Sequence, residues 1–199
     1  MRLYIYLLIV GFILFDIAYT QHREYEGSGD DIIAIDKPNE NMPAILVVVG
    51  NRTERHFAIT GYDANRNRTG LLVNTTDRYS GIVALDLPPR TNTQFLEVSA
   101  TGPWKIHLYS IGAATKISLG DIYEDKGDNV LWIEGDASIA TITGNAMQRH
   151  FAITAYDGNG NRNGLLVNTT DRYSGRVMVP RNTLLLEVNA TGDWTIKLD

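Results

Sequence analysis

Cysteine is absent from the 199-residue chain, which removes disulfide staples, thiol nucleophiles and Cys-based zinc sites together. Helical patterning is missing too: beyond the N-terminus, apolar residues never sustain an i, i+3, i+4, i+7 stripe over three turns. No charge of one sign dominates. The 18 Lys and Arg are scattered among 23 Asp and Glu, for a formal net charge of −5, so no basic stripe tracks a nucleic-acid backbone. Long hydrophobic runs are lacking as well. The most apolar stretch, Leu3 to Phe15, has 13 residues, whereas a spanning helix needs about 20.

That stretch suits the h-region of a secretory signal. Arg2 precedes it and Asp16 follows, and Ala18 and Thr20 occupy the −3 and −1 positions of a cleavage site before Gln21. Residues 1–20 are therefore expected to be a signal peptide, with an uncleaved anchor over Leu3–Tyr19 as the alternative. Only the anchor would tie the protein to a membrane. Either way the remainder is expected to be secreted or at the cell surface. A small exported chain without disulfides leans toward a prokaryotic envelope or secreted protein.

What is present is a duplication. Arg55–Gly81 returns as Arg149–Gly175 with 23 of 27 positions identical. The spacing exceeds the roughly 20–50 residues of a solenoid repeat and fits two small domains in tandem. The lead-in repeats as well, with Tyr25, Glu26, Gly29 and Asp30 matching Tyr123, Glu124, Gly127 and Asp128. Expected boundaries are 25–110 for the first repeat, 111–121 for a linker of small residues and 122–199 for the second repeat.

Within each repeat, short alternating segments are punctuated by Gly, Asn, Asp and Pro, the signature of antiparallel strands. The first half is predicted to carry strands at 31–36, 44–49, 56–62, 71–75, 80–87, 95–100 and 104–109. Those of the second half fall at 129–134, 139–143, 150–156, 165–169, 174–179, 184–190 and 194–198. Comparing the copies sorts faces. Val83 and Leu85 match Val177 and Val179 and are read as core, whereas Ile82 and Ala84 become Arg176 and Met178 and are read as solvent-facing. Trp104, Ile106 and Leu108 go inside with Trp194, Ile196 and Leu198. The expected fold is all-β: two tandem antiparallel β-sandwich, jelly-roll-like domains after an N-terminal signal segment.

Gly-Ser-Gly-Asp-Asp-Ile-Ile at 27–33, Phe57-Ala-Ile, Leu71-Leu-Val-Asn, Tyr79-Ser-Gly, Leu96-Glu-Val and Trp104-x-Ile occur in one order. The pattern resembles a repeat of uncharacterised prokaryotic secreted β-sandwich proteins. It is more loosely similar to the pre-peptidase C-terminal-type sandwiches of exported enzymes. These motifs are turns and core residues, so the resemblance implies a non-catalytic extracellular module and carries no active-site residues with it.

Three groups of residues are candidates for chemistry. Asp63, Asn65 and Asn67, with Asp157, Asn159 and Asn161, place oxygens at alternate positions as calcium loops do. The competing reading is a hairpin turn, because Asn, Asp and Gly tolerate positive φ and Arg66 and Arg68 would repel a dication. In NTTDRYSG, identical at 74–81 and 168–175, Arg78 and Tyr79 with Arg172 and Tyr173 form a candidate polar-aromatic contact patch. Alternatively, Asp77 and Asp171 close a turn and the Tyr ring covers the end of the sandwich. Asn-x-Ser/Thr sequons at Asn51, Asn67, Asn74, Asn168 and Asn189 are glycan acceptors in a competent host. His56 and His150 are read as solvent-facing strand histidines. No repeated Ser-His-Asp set or carboxylate pair suggests catalysis. No cofactor is expected, Ca2+ at the two loops being the one alternative.

The leading expectation is a non-enzymatic exported protein that binds an extracellular polysaccharide or surface protein, with avidity from its duplication. The first alternative is a self-associating filament or coat subunit, pairing by strand addition through an edge or through Gln21–Asp30. A secreted hydrolase is the third.

Overall fold

The computed structural model describes residues 22–87 and 91–199; the expected signal segment lies outside them. The first half contributes eight strands: β1 (Arg23–Ser28), β2 (Asp31–Ala34), β3 (Ala44–Gly50), β4 (Phe57–Tyr62), β5 (Arg68–Thr75), β6 (Tyr79–Leu85), β7 (Phe95–Ser99) and β8 (Pro103–Ser110). They form two antiparallel sheets, ordered β1-β8-β3-β6 and β2-β7-β4-β5.

A 3-10 turn at Ile111–Ala113 and β9 (Thr115–Ser118) lead into the second half. There follow β10 (Ile122–Lys126), β11 (Asn129–Glu134), β12 (Ile139–Gly144), β13 (Phe151–Asp157), β14 (Arg162–Thr169), β15 (Tyr173–Met178), β16 (Thr183–Ala190) and β17 (Asp193–Leu198). Their sheets are β10-β17-β12-β15 and β14-β13-β16-β11-β9, the same winding with one added strand. That strand, β9, pairs parallel to β11. It falls within the segment expected to be a linker.

Alternation explains the β-sandwich-like architecture. In β8, Trp104, Ile106 and Leu108 turn inward while Lys105 and His107 point away, and β17 repeats this with Trp194, Ile196 and Leu198. One apolar cluster joins Leu46, Phe57, Ile59, Val83, Leu85, Leu96 and Val98 from both sheets of the first half. A second joins Ala140, Ile142, Phe151, Ile153, Leu186 and Val188 in the second half. Burying each large side chain contributes about 1.5–3 kcal/mol. Each indole also finds a hydrogen-bond acceptor: Trp104 donates to the Gly29 carbonyl at 3.0 Å and Trp194 to that of Gly127 at 2.8 Å. Both glycines sit at φ near +80° (79° and 80°), which a side chain would strain.

A third cluster crosses between the halves. Ile45 and Ala84 of the first half pack with Val130, Tyr156 and Leu185 of the second, and Ile82, Tyr109 and Trp132 lie at its margin. This corrects the expectation that Ile82 and Ala84 face solvent. They do leave their own core, but the second half covers them. Arg176 and Met178, their counterparts, have no such cover, and Met178 is 73% exposed.

One buried ion pair has no counterpart in the second copy. Lys37 Nζ lies 2.5 Å from Asp86 Oδ2, with both side chains almost wholly enclosed. Asp86 Oδ1 also accepts from the hydroxyls of Thr91 and Thr93. Gly135 and Pro180 occupy the equivalent places.

Candidate functional site

The site is built where the β10–β11 turn of the second half meets the edge strand β6 of the first. Tyr79 opens β6, and its hydroxyl donates to Asp128 Oδ2 at 2.6 Å. Asp128 Oδ1 accepts the Ala190 amide at 2.9 Å, which ties the turn to its own sheet. The outward amide of Ile82 donates to the Asp128 carbonyl at 2.8 Å. Gly81 makes this approach feasible: a Cβ there would lie 3.2 Å from both Asp128 Cβ and the Asp128 carbonyl oxygen.

Burial dominates the electrostatics. Burial, with Asp128 alongside, pushes the Tyr79 hydroxyl far above the ordinary phenol range. Burial likewise raises the Asp128 carboxyl, against the lowering effect of the bonds from Tyr79 and Ala190. A second phenol–carboxylate pair lies close by. Tyr156 donates to Glu187 Oε2 at 2.7 Å, and burial raises both groups. The Tyr79 phenol bridges the halves, whereas Tyr156 and Glu187 sit on neighbouring strands of one sheet; neither phenol is poised to give up a proton at neutral pH.

Beside the lock runs a cleft of about 800 Å³, lined by Arg78, Asn74, Lys126, His150 and Asn189 among others. His150 is exposed there, as is His56 in the first half. Among the described residues, no group of three or more His, Asp or Glu is placed to hold a metal ion.

The expected contact patch divides. Tyr79 belongs to the junction, which corrects its reading as an open surface residue: burial places its hydroxyl against Asp128. Arg78 is exposed and pairs with Glu54 at 2.9 Å. Tyr173 packs its ring against Phe151 within the second half. Arg172 donates to the Ala146 carbonyl there at 3.3 Å. Together with Ser174 and Trp194, Tyr173 and Arg172 line a separate cavity of about 630 Å³. The two Arg–Tyr pairs do not form one site.

The Asp-Asn loops are hairpin turns. Asp63 Oδ1 accepts the amides of Asn65 and Asn67, and Oδ2 accepts the Asn67 side-chain amide. Asp157 does the same with Asn159 and Asn161. These are the bonds of the hairpin reading: each carboxylate closes its own turn. Among the sequons, Asn51 is also corrected. It is 4% exposed, and its amide donates to the carbonyls of Arg55 and Asp77, so a glycan there would break two buried bonds. Asn145 repeats this clasp on Arg149 and Asp171. Asn67, Asn74 and Asn168 are exposed, whereas Asn189 is partly buried in the cleft wall.

The clasp accounts for part of the NTTDRYSG identity, since the Asp77 and Asp171 carbonyls must meet Asn51 and Asn145. Sequence reasoning missed Asp128 and the Lys37–Asp86 pair. The available signal for Asp128 is its match to Asp30 in the repeated lead-in.

No family profile and no curated relative matches the chain. Among solved structures, it is similar to the conserved protein of unknown function PA5104 from Pseudomonas aeruginosa PAO1, at 10% identity and a TM-score of 0.26 over 89% of this chain and 79% of that one. The atomic structure of Sulfolobus Turreted Icosahedral Virus matches at 8% identity and a TM-score of 0.27, over 88% of this chain and 90% of that chain. The regulatory subunit of a cAMP-independent protein kinase A from Trypanosoma brucei matches at 11% identity and 0.23, over 89% and 73%. Likenesses this faint leave the chain to be read from its own residues.

Proposed function

We propose that the chain is an exported, non-enzymatic building block of an extracellular or cell-surface assembly, made of two jelly-roll domains locked into one stiff pair. The observation that carries this reading is the junction. Tyr79, Asp128 and the apolar cluster around Ala84 and Val130 hold the halves to each other. Two weak binding modules gain avidity only when their spacing matches that of the ligand's sites; a particle of fixed shape suits construction whatever it meets. The strand order supports the jelly-roll assignment: first, eighth, third and sixth strands share one sheet, and second, seventh, fourth and fifth the other, in both halves. The domain limits become 23–110 and 122–199 once β1 is included. Residues 1–20 serve as the export signal.

The test is fractionation of the native cell expressing an epitope-tagged chain, followed by negative-stain microscopy of the concentrated protein. Tagged protein in the surface or medium fraction, forming regular polymers or sheets, is the expected outcome. A cytoplasmic, strictly monomeric protein sinks the reading.

A second reading, glycan capture, draws on the cavity beside Tyr173, where Glu124, Asp125, Asp193 and Arg172 flank the rings of Tyr173 and Trp194. A glycan array probed with wild type and Tyr173→Ala decides it, since only cavity-mediated binding is lost with the ring.

A further inference from the structure

The duplicated chain uses each face of its junction once and leaves the other copy of each face open. The covered receiving face of the second half comprises Asp128, Val130, Trp132, Tyr156, Leu185 and Glu187. By register, its counterpart in the first half is Asp30, Ile32, Ala34, Tyr62, Phe95 and Glu97. The two are built alike. Asp30 Oδ1 accepts the Ala100 amide at 2.9 Å, as Asp128 accepts Ala190. Tyr62 donates to Glu97 at 2.7 Å, as Tyr156 does to Glu187. They differ in cover: Val130 is 0% exposed and Ile32 67%.

The inserting face shows the same asymmetry. Tyr79, Ile82, Ala84 and Ile45 enter the junction, and Tyr173, Arg176, Met178 and Ile139 are their counterparts. Edge strand β15 and its neighbour β12 present them as β6 and β3 do in the first half. At Gly81 the space beside the Tyr79 hydroxyl is occupied by Asp128. At the matching Gly175 the three nearest atoms all belong to Tyr173.

We propose that the open inserting face of one molecule (Tyr173, Arg176, Met178) docks on the open receiving face of a second copy (Asp30, Ile32, Glu97), repeating the internal junction between molecules. In this joint the Tyr173 hydroxyl takes the Asp30 oxygen that corresponds to the one Tyr79 holds on Asp128. Arg176, standing where the junction has Ile82, brings a cation to a face carrying the Asp30 and Glu97 carboxylates. That substitution complements its target. It also adds a salt dependence to that of the internal junction, where Arg149 and Asp77 pair across the halves at 4.0 Å. Arg66 and Arg181, in the places of Gly160 and Leu87, oppose each other and weaken the joint relative to the internal one. The interface is heterologous, so it propagates as an open chain, or as a ring if the rotation closes. This inference rests on the building-block reading and names its partner and contact.

The test is sedimentation of the full chain between about 10 µM and about 1 mM, a range suited to a joint without the covalent tether of the internal one. Ile32→Lys and Met178→Lys change exposed residues, one on each face. Wild type is expected to exceed dimer mass with rising concentration and to fall back in high salt. Each variant alone is expected to remain monomeric. Mixed together, they retain one intact face each and are expected to stop at a dimer, the mark of a head-to-tail contact. Polymers that persist in both variants, or a mixture that stays monomeric, overturn this joint while leaving the building-block reading in place. A wild type that is monomeric throughout overturns both.

Discussion

At the residue scale, Tyr79 and Tyr173 are the same residue in the same motif with different work. Tyr79→Phe leaves a buried carboxylate oxygen without its donor and is expected to lower stability by about 1–3 kcal/mol in urea unfolding. Tyr173→Phe is expected to stay within about 0.5 kcal/mol. The junction also has an alkaline limit. The folded chain keeps the Tyr79 and Tyr156 protons well above pH 10, where the unfolded chain releases them. The unfolded state then binds fewer protons, so stability falls as pH rises past 10, by up to about 1.4 kcal/mol per pH unit for each phenol. Tyr79→Phe should lessen that slope, as pH-dependent melting would reveal. The Lys37–Asp86 pair gives a second contrast. Lys37→Met strands an enclosed carboxylate and should lower stability by about 3–5 kcal/mol. Adding Asp86→Asn, which tolerates the φ of +61° at that position, should recover most of the loss in the same urea assay.

At the element scale, the copies report on each other's strain. Arg66 holds φ +64° in the β4–β5 turn where the other copy has Gly160 at +76°. Arg66→Gly is therefore expected to raise stability by roughly 0.5–1 kcal/mol, read as an increase in melting temperature. Most strands were legible, because apolar alternation or short apolar runs lie between turn residues, and the limits of β3 to β8 and β11 to β17 fall within about three residues of the sequence reading; β3, β11 and β13 are buried on both faces where the halves meet. Strands β1, β9 and β10 were not. β1 turns only Tyr25 and the small Gly27 inward between charged neighbours, so its periodicity resembles a polar lead-in. Because β1 already pairs with β8, strand donation by Gln21–Asp30 would first have to undo that ladder. The contact site was half legible. Repetition singled out Tyr79, but Asp128 lies 49 residues away, and its twin Asp30 has no such bond. The exchange of Ile82 for Arg176 indicated only a position outside its own core, and nothing local distinguishes water from a neighbouring sandwich.

At the scale of the whole molecule, the shared cluster makes the halves one cooperative unit. Calorimetry of the wild type is expected to give one transition. Ala84→Arg forces a long cation between Ile45 and Val130 and should split that transition in two, each part keeping the melting behaviour of a separate sandwich. The connection itself bears on handling. Thr115–Ser118 is laced along Leu131–Glu134 as a parallel ladder, so the crossing between halves has little slack to reel out. A pull that draws the sandwiches apart beyond the reach of 111–114 must shear those four residues from their partner strand, and the molecule will resist tension like a splinted joint rather than a hinge.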